Sequence, residues 1–222
     1  MITSMQNKTV KELLKLKQKK YRKDYYLVET NHLVEEAIKA KQTDLIISTE
    51  PVDLGVENLV VSKEIMEKLA FTKTPQPIMA RCFIQKDKKL VDGKRYLILD
   101  YLQDPGNIGT LIRTALAFGI DQVILSNECV DLYNDKLLRS MQGAHFHLSC
   151  LYGEFKRNYS CFKKKKGVCV VGSALENGRP IHEIKKQEKM AYVLGNEGNG
   201  MEKKLSTFVI KLPIFQLQPL NH

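Results

Sequence analysis

The five cysteines, Cys82, Cys129, Cys150, Cys161 and Cys169, include no CxxC pair. Their number is odd and several lie in apolar stretches, which argues against a disulfide framework. They read as reduced, mostly buried thiols of a cytoplasmic protein. A zinc site is not expected either: His145 and His147 fall on one side of an expected strand with no other ligand cluster beside them. No apolar run approaches the roughly 20 residues that a membrane span needs. The N-terminus lacks a basic stretch leading into an apolar one, and there is no internal repeat. Acids are also scarce relative to bases: 35 Lys and Arg stand against 25 Asp and Glu, for a net charge of +10. That excess suits a polyanionic partner such as RNA, DNA or an acidic membrane surface. A basic protein with no such partner is the blander reading.

What is present is an alternation of strand and helix signals in two stretches. Residues 8–23 carry eight Lys and Arg against the single acid Glu12, with Leu13, Leu14 and Leu16 interleaved. This spacing predicts a short basic helix, with Lys15, Lys19, Lys20 and Arg22 as candidate phosphate contacts. Strands are expected at Tyr25 to Glu29, Leu45 to Ser48 and Leu59 to Val61. Helices are expected from Asn31 to about Ala40 and, capped by Ser62, to Leu69. The polar run 86–94 reads as a linker, so the expected division is residues 1–88 and 95–222. Beyond the linker, strands are expected at 95–100, 121–126, 145–152, 167–174, 190–195 and 207–213, and helices at 108–118, 135–141 and 199–205. These strands are rich in Val, Ile and Leu without clean alternation. That is the pattern of a mostly parallel sheet covered on both faces.

Two turns could carry chemistry. Asp104-Pro105-Gly106-Asn107-Ile108-Gly109, followed by Arg113, joins a strand to an amphipathic helix. Asn107 is placed to cap that helix, and Gly109 and Arg113, four apart, share a face. Arg113 is then expected one turn into the helix, beside Asn107. The second turn, Gly195-Asn196-Glu197-Gly198-Asn199-Gly200, follows a strand. Its glycines free the backbone to aim amides at a ligand, and Glu197 could orient a substrate hydroxyl. It is not a dinucleotide fingerprint, because the spacing is wrong. Arg139 to Ala144 ends a helix, with Gly143 as its expected C-cap; Arg139 could bind phosphate or pair with a local acid.

Leu99 to Ala115, with Asn107, Gly109 and Arg113, resembles the first motif of the SpoU/TrmH family of RNA ribose methyltransferases. Leu194-Gly195-Asn196-Glu197-Gly198 resembles its second motif, and Arg139 to Ala144 a segment between them. The N-terminal stretch is similar to the family's substrate-binding domain, with Tyr26-Leu27-Val28-Glu29 and Thr74-Pro75-Gln76 in familiar places. The resemblance implies an α/β protein: a small N-terminal α/β RNA-binding domain, then a SPOUT-type parallel sheet with a C-terminal trefoil knot. It further implies S-adenosylmethionine as cofactor, a homodimer, and methyl transfer to a ribose 2′-hydroxyl of RNA, ribosomal rather than transfer. Asn107 and Arg113 are then catalytic and Glu197 supports them. Leu194, Gly195, Gly198, Ile214 and Leu220 are the candidates to line the cofactor pocket, and Lys15, Lys19, Lys20, Arg22 and Arg139 to contact RNA. The transfer needs in-line positioning and removal of a hydroxyl proton. An arginine stays protonated, so Arg113 is expected to orient the hydroxyl or its phosphate.

The sequence departs from the family at its end. Lys211-Leu212-Pro213-Ile214 starts the third motif, but the Gly and Ser expected before Leu220-Asn221 are missing and no final helix follows. Since that helix helps to close the knot, a non-catalytic RNA-binding protein stands as the alternative reading. A small-molecule α/β enzyme whose charge is incidental is a third.

Overall fold

The strand and helix signals resolve into two β-sheets. The computed structural model describes residues 1–86, 89–153, 167–174, 183–185, 187–196 and 210–213. The chain forms two compact units. The first gathers Met1–Lys88, Pro105–Thr114 and Asp131–His147; the second gathers Lys89–Asp104, Ala115–Val130 and Leu148–His222.

In the first unit, Asn7 opens helix α1 (Lys8–Lys15) by accepting hydrogen bonds from the amides of Thr9 and Val10. The expected helix to residue 23 stops short, and a single 3₁₀ turn, Lys19–Tyr21, follows. Continuing the helix would have set Lys15, Lys19 and Lys23 at successive four-residue spacings, where like charges repel. Lys17 is used elsewhere: its ammonium donates to the carbonyls of Lys68 (2.8 Å) and Ala70 (2.6 Å). These carbonyls end helix α3 (Lys63–Leu69), which Ser62 caps as expected.

Strands β1 (Tyr25–Glu29), β2 (Thr43–Ser48) and β3 (Glu57–Val60) and helix α2 (Asn31–Lys39) fall where the sequence predicts them. A further strand, β4 (Ile78–Phe83), was not expected; it lies between β1 and β2, antiparallel to both, in the order β1-β4-β2-β3. Val10 and Leu13 of α1 and Ile65, Met66 and Leu69 of α3 pack against Leu27, Leu45, Ile47 and Met79. Each such burial stabilises by about 1.5–3 kcal/mol. Tyr26, next to Leu27, points to the opposite face of β1, where its ring lies 4.4 Å from that of Tyr133.

The second unit holds a six-stranded, wholly parallel sheet. Its strands are β5 (Arg95–Leu99), β6 (Gln122–Leu125), β7 (Ser149–Tyr152), β8 (Cys169–Ala174), β9 (Met190–Leu194) and β10 (Ile210–Pro213). Their order is β10-β8-β9-β5-β6-β7. Tyr96, Ile98, Ile124, Val168, Val170, Ala191 and Val193 form one core layer on this sheet. The parallel sheet and the α/β class agree with the sequence reading.

Helix α4 (Pro105–Ala117) follows β5, and α5 (Asp135–Met141) and α6 (Ala144–His147) precede β7. The expected strand over 145–152 is corrected at its start: residues 144–147 form the turn of α6, and the strand begins at Ser149. His145 and His147 belong to the first unit and are bonded within it. Nε2 of His145 is 3.0 Å from the Tyr26 hydroxyl, and Nε2 of His147 is 2.7 Å from Glu36 Oε2. The C-cap of α5 is Gln142 (φ +50°), one residue before the expected Gly143. The expected helix at 199–205 and the trefoil knot lie outside the described residues.

Candidate active site

The order of the parallel strands creates an opening at β5 and β9. From β5 the chain proceeds to β6 on one side; from β9 it proceeds to β10 beyond β8 on the other. Connections that leave two adjacent strands in opposite directions open a crevice at their carboxyl ends, where open α/β sheets bind ligands. Leu99 and Leu194, the last residues of β5 and β9, are register partners. The Asp100 amide donates to the Leu194 carbonyl at 2.8 Å, extending the ladder one step further.

Beyond that step the backbone turns abruptly. Tyr101 has φ +61°, in the left-handed region that costs a non-glycine residue about 1–2 kcal/mol. Two bonds within the same unit hold it there. Its amide donates to Ser126 Oγ at 3.0 Å, and its carbonyl accepts from Asn196 Nδ2 at 3.2 Å. Asn196 thus ties the loop after β9 to the loop after β5. The Tyr101 side chain is half exposed, while Asp100 before it is buried. Cys129 packs below, donating to the Leu99 carbonyl; burial pushes its thiol pKa up, as it does for Cys82. These thiols are buried core groups, consistent with the reading of the cysteines.

The first motif enters α4 at Pro105, a residue suited to the first helical position because it has no amide proton to satisfy. Asn107 therefore lies inside the first turn, exposed, and not at the cap. The cap position falls to Asp104. Arg113 is also exposed and stands eight residues after Pro105, about 12 Å along the axis and more than two turns in. The expected placement one turn in, beside Asn107, is corrected accordingly. The buried stripe of Ile108, Ile112 and Ala115 is as expected.

Gly109 has a packing role that the sequence did not show. A Cβ added there would overlap the Ser140 side chain. Ser140 Oγ donates to the Gly106 carbonyl at 3.1 Å, so α4 and α5 touch backbone to side chain.

The five basic candidates differ in their surroundings. Lys15, Lys19 and Lys20 are exposed. The Arg22 guanidinium lies 2.6 Å from Asp131 Oδ2, with side-chain exposures of only 9% and 16%. Arg139 pairs with Asp135, one turn earlier on α5, at 3.0 Å. This is the local acid that the sequence left open as its partner. Leu194 ends β9 and Gly195 follows it. Glu197, Gly198, Ile214 and Leu220 lie outside the described residues. No group of His, Cys, Asp and Glu able to hold a metal occurs among the described residues. No helix of the described residues is long and apolar enough to cross a membrane.

Comparison with known proteins adds to this geometry. The SpoU rRNA Methylase family matches residues 94–221, and the MRM3-like substrate binding domain matches residues 7–80. The 23S rRNA (guanosine(2553)-2'-O)-methyltransferase RlmP of Bacillus subtilis is 39% identical over 216 residues, 92% of this chain and 85% of that protein. A crystal structure of an AdoMet-bound rRNA methyltransferase from Sinorhizobium meliloti superposes with a TM-score of 0.84. It is 25% identical and covers 100% of this chain and 90% of its own. The SpoU methyltransferase AviRb of Streptomyces viridochromogenes also has a TM-score of 0.84, over 98% of this chain and 92% of its own. At 16% identity that likeness speaks to the fold alone. With a family match over more than half its length, this chain belongs to the SpoU rRNA methylase family.

Proposed function

We propose that this chain transfers a methyl group from S-adenosylmethionine to a ribose 2′-hydroxyl of RNA, ribosomal rather than transfer. The observation that carries the reading is the pairing of Leu99 with Leu194, which brings the strands that lead into the two motifs edge to edge at the topological switch point. The family and its named relatives support the same chemistry, and they do not favour the non-catalytic alternative.

The described part of the crevice suits the cofactor in its materials. Leu194 offers an apolar side chain at the strand end, and Gly195 a backbone without a Cβ. The Asn196–Tyr101 link fixes the two loops against each other. Leu194, Gly195, Gly198, Ile214 and Leu220 would hold the cofactor, which supplies an electrophilic methyl on a sulfonium. In this reading Asn107 and Arg113 position the ribose hydroxyl and its phosphate, with Glu197 in support. Arg113 acts through its fixed charge and planar donor fork, not as a proton acceptor. Lys15, Lys19 and Lys20 contact RNA phosphates, whereas Arg22 and Arg139 bring charges already shared with Asp131 and Asp135. The reading also takes residues 1–88 as the RNA-binding domain and 95–222 as the methyltransferase domain. It includes the trefoil knot, a homodimer and a cytoplasmic location.

The test is transfer of labelled methyl from S-adenosylmethionine to unmodified ribosomal RNA and, separately, to unmodified transfer RNA, with the product mapped at nucleotide resolution. Label on a ribose of ribosomal RNA is expected. Label on a base, or on neither RNA, would overturn the reading.

A further inference from the structure

We infer that Tyr21, with Lys15 and Lys20 beside it, forms a stacking site for one unpaired nucleobase of a single-stranded RNA segment. This deepens the reading of the N-terminal unit as RNA-binding and rests on it. The residue that carries the inference was not among the basic candidates read from the sequence.

Tyr21 closes the 3₁₀ turn after α1 and leaves 42% of its surface to solvent. The Lys20 ammonium lies 4.9 Å from its ring centroid and that of Lys15 5.9 Å. An exposed aromatic ring with cations beside it is the arrangement with which single-stranded nucleic acids are held: the ring takes a base face and the cations take the flanking phosphates. Stacking of a base on an aromatic side chain is stronger than an exposed ammonium over a phenol ring. A base therefore displaces the lysine from the ring and leaves its charge free for the backbone.

The surroundings have room for one base. Tyr21 lines a cleft of about 250 Å³ together with Glu12, Leu16, Tyr25 and Arg81. That volume is below the roughly 300–1,000 Å³ of sites for larger ligands. Arg81 is held bidentate by Asp44 (2.9 and 2.8 Å), and its guanidinium lies 4.6 Å from the Tyr25 ring centroid, which fixes the cleft wall. Lys15 lines the cleft as well, its charge set against that of Glu12, and Arg81 is matched by Asp44, so the interior carries little net charge and suits a neutral base, with Lys20 beside the ring for the backbone. Arg22, next in sequence, is turned away to Asp131 and takes no part.

The experiment is fluorescence anisotropy of the full chain with a labelled 12-nucleotide oligouridylate, against an RNA duplex of the same length, across a salt series. Tyr21→Ala is expected to weaken oligouridylate binding by roughly 5- to 150-fold, with the salt slope unchanged. Tyr21→Phe is expected to bind within about twofold of the parent, because the ring face is kept. Lys15→Ala combined with Lys20→Ala is expected to lower the slope of log K against log salt by about 1.4. Tyr21 is surface-exposed, and an unchanged melting temperature confirms that each variant is folded. Unchanged affinity in Tyr21→Ala, absent binding by the parent chain, or a duplex bound equally well with equal loss on Tyr21→Ala would overturn the site. Methyl transfer by the parent chain judges the enzymatic reading separately, so the two can fail independently.

Discussion

Gly109 on α4 lies directly against Ser140 on α5, with no space for a Cβ between them. The crossing also carries the bond from Ser140 to the Gly106 carbonyl. Gly109→Ala is expected to destabilise the protein by about 1–3 kcal/mol through overpacking. Adding Ser140→Gly should return part of that loss, because it empties the space that the new methyl needs. Urea denaturation of the two single variants and the double variant checks this; additive losses would contradict the contact.

Arg22 and Asp131 form a mostly buried ion pair. Arg22→Ala leaves a carboxylate in a largely dehydrated place, and a loss on the order of 3 kcal/mol is expected. The paired variant Arg22→Ala with Asp131→Ala should lose less than the sum of its parts. If Arg22 serves the fold in this way, its removal should leave the salt slope of RNA binding unchanged in protein that is still folded.

Glu36 accepts from His147 and from Lys39, and these bonds hold its carboxyl at about 2, with His147 the larger cause. The folded pKa lies below the ordinary value near 4.3. The stability that Glu36 contributes is therefore complete above about pH 4.3 and is lost as pH falls toward about 2. Glu36→Gln should flatten that part of the acid limb in a plot of unfolding free energy against pH. An acid limb identical to that of the parent would count against the arrangement.

Arg113 is exposed on α4, so its removal should spare the fold. Arg113→Ala is expected to lower methyl transfer by roughly 100-fold or more, with the melting temperature unchanged. Arg113→Lys should rescue little, since a lysine lacks the planar donor fork. Activity retained in Arg113→Ala would remove this residue from the mechanism.

Several elements were legible because their signals are local. Ser62, Asn31 and the apolar run Tyr96 to Leu99 sit where helix starts and buried strands were expected. The strand Ile78–Phe83 was missed because Arg81 interrupts its apolar pattern and Ala80 is a weak strand former; Arg81 is tolerated there because Asp44 and Tyr25 receive it. The start of α4 was misplaced by three residues because Asn107 is a good cap by type. Pro105, with its constrained φ, is already suited to begin the helix. Tyr101 gave no local sign of its left-handed backbone, since the groups that hold it belong to Ser126 and Asn196.

The order of residues alone determined the basic charge, the alternation that makes a parallel sheet and the two motifs that mark the family. All of these are composition or short-range periodicity, which the local backbone obeys. The tertiary structure alone decided which cations remain available to a partner. Lys15 and Lys20 flank an exposed ring, while Arg22, two positions beyond Lys20, is drawn to an aspartate 109 residues away. It also decided that Gly109 is a packing glycine. Contacts between residues so far apart in the chain depend on how the elements pack, and no spacing within one element encodes them.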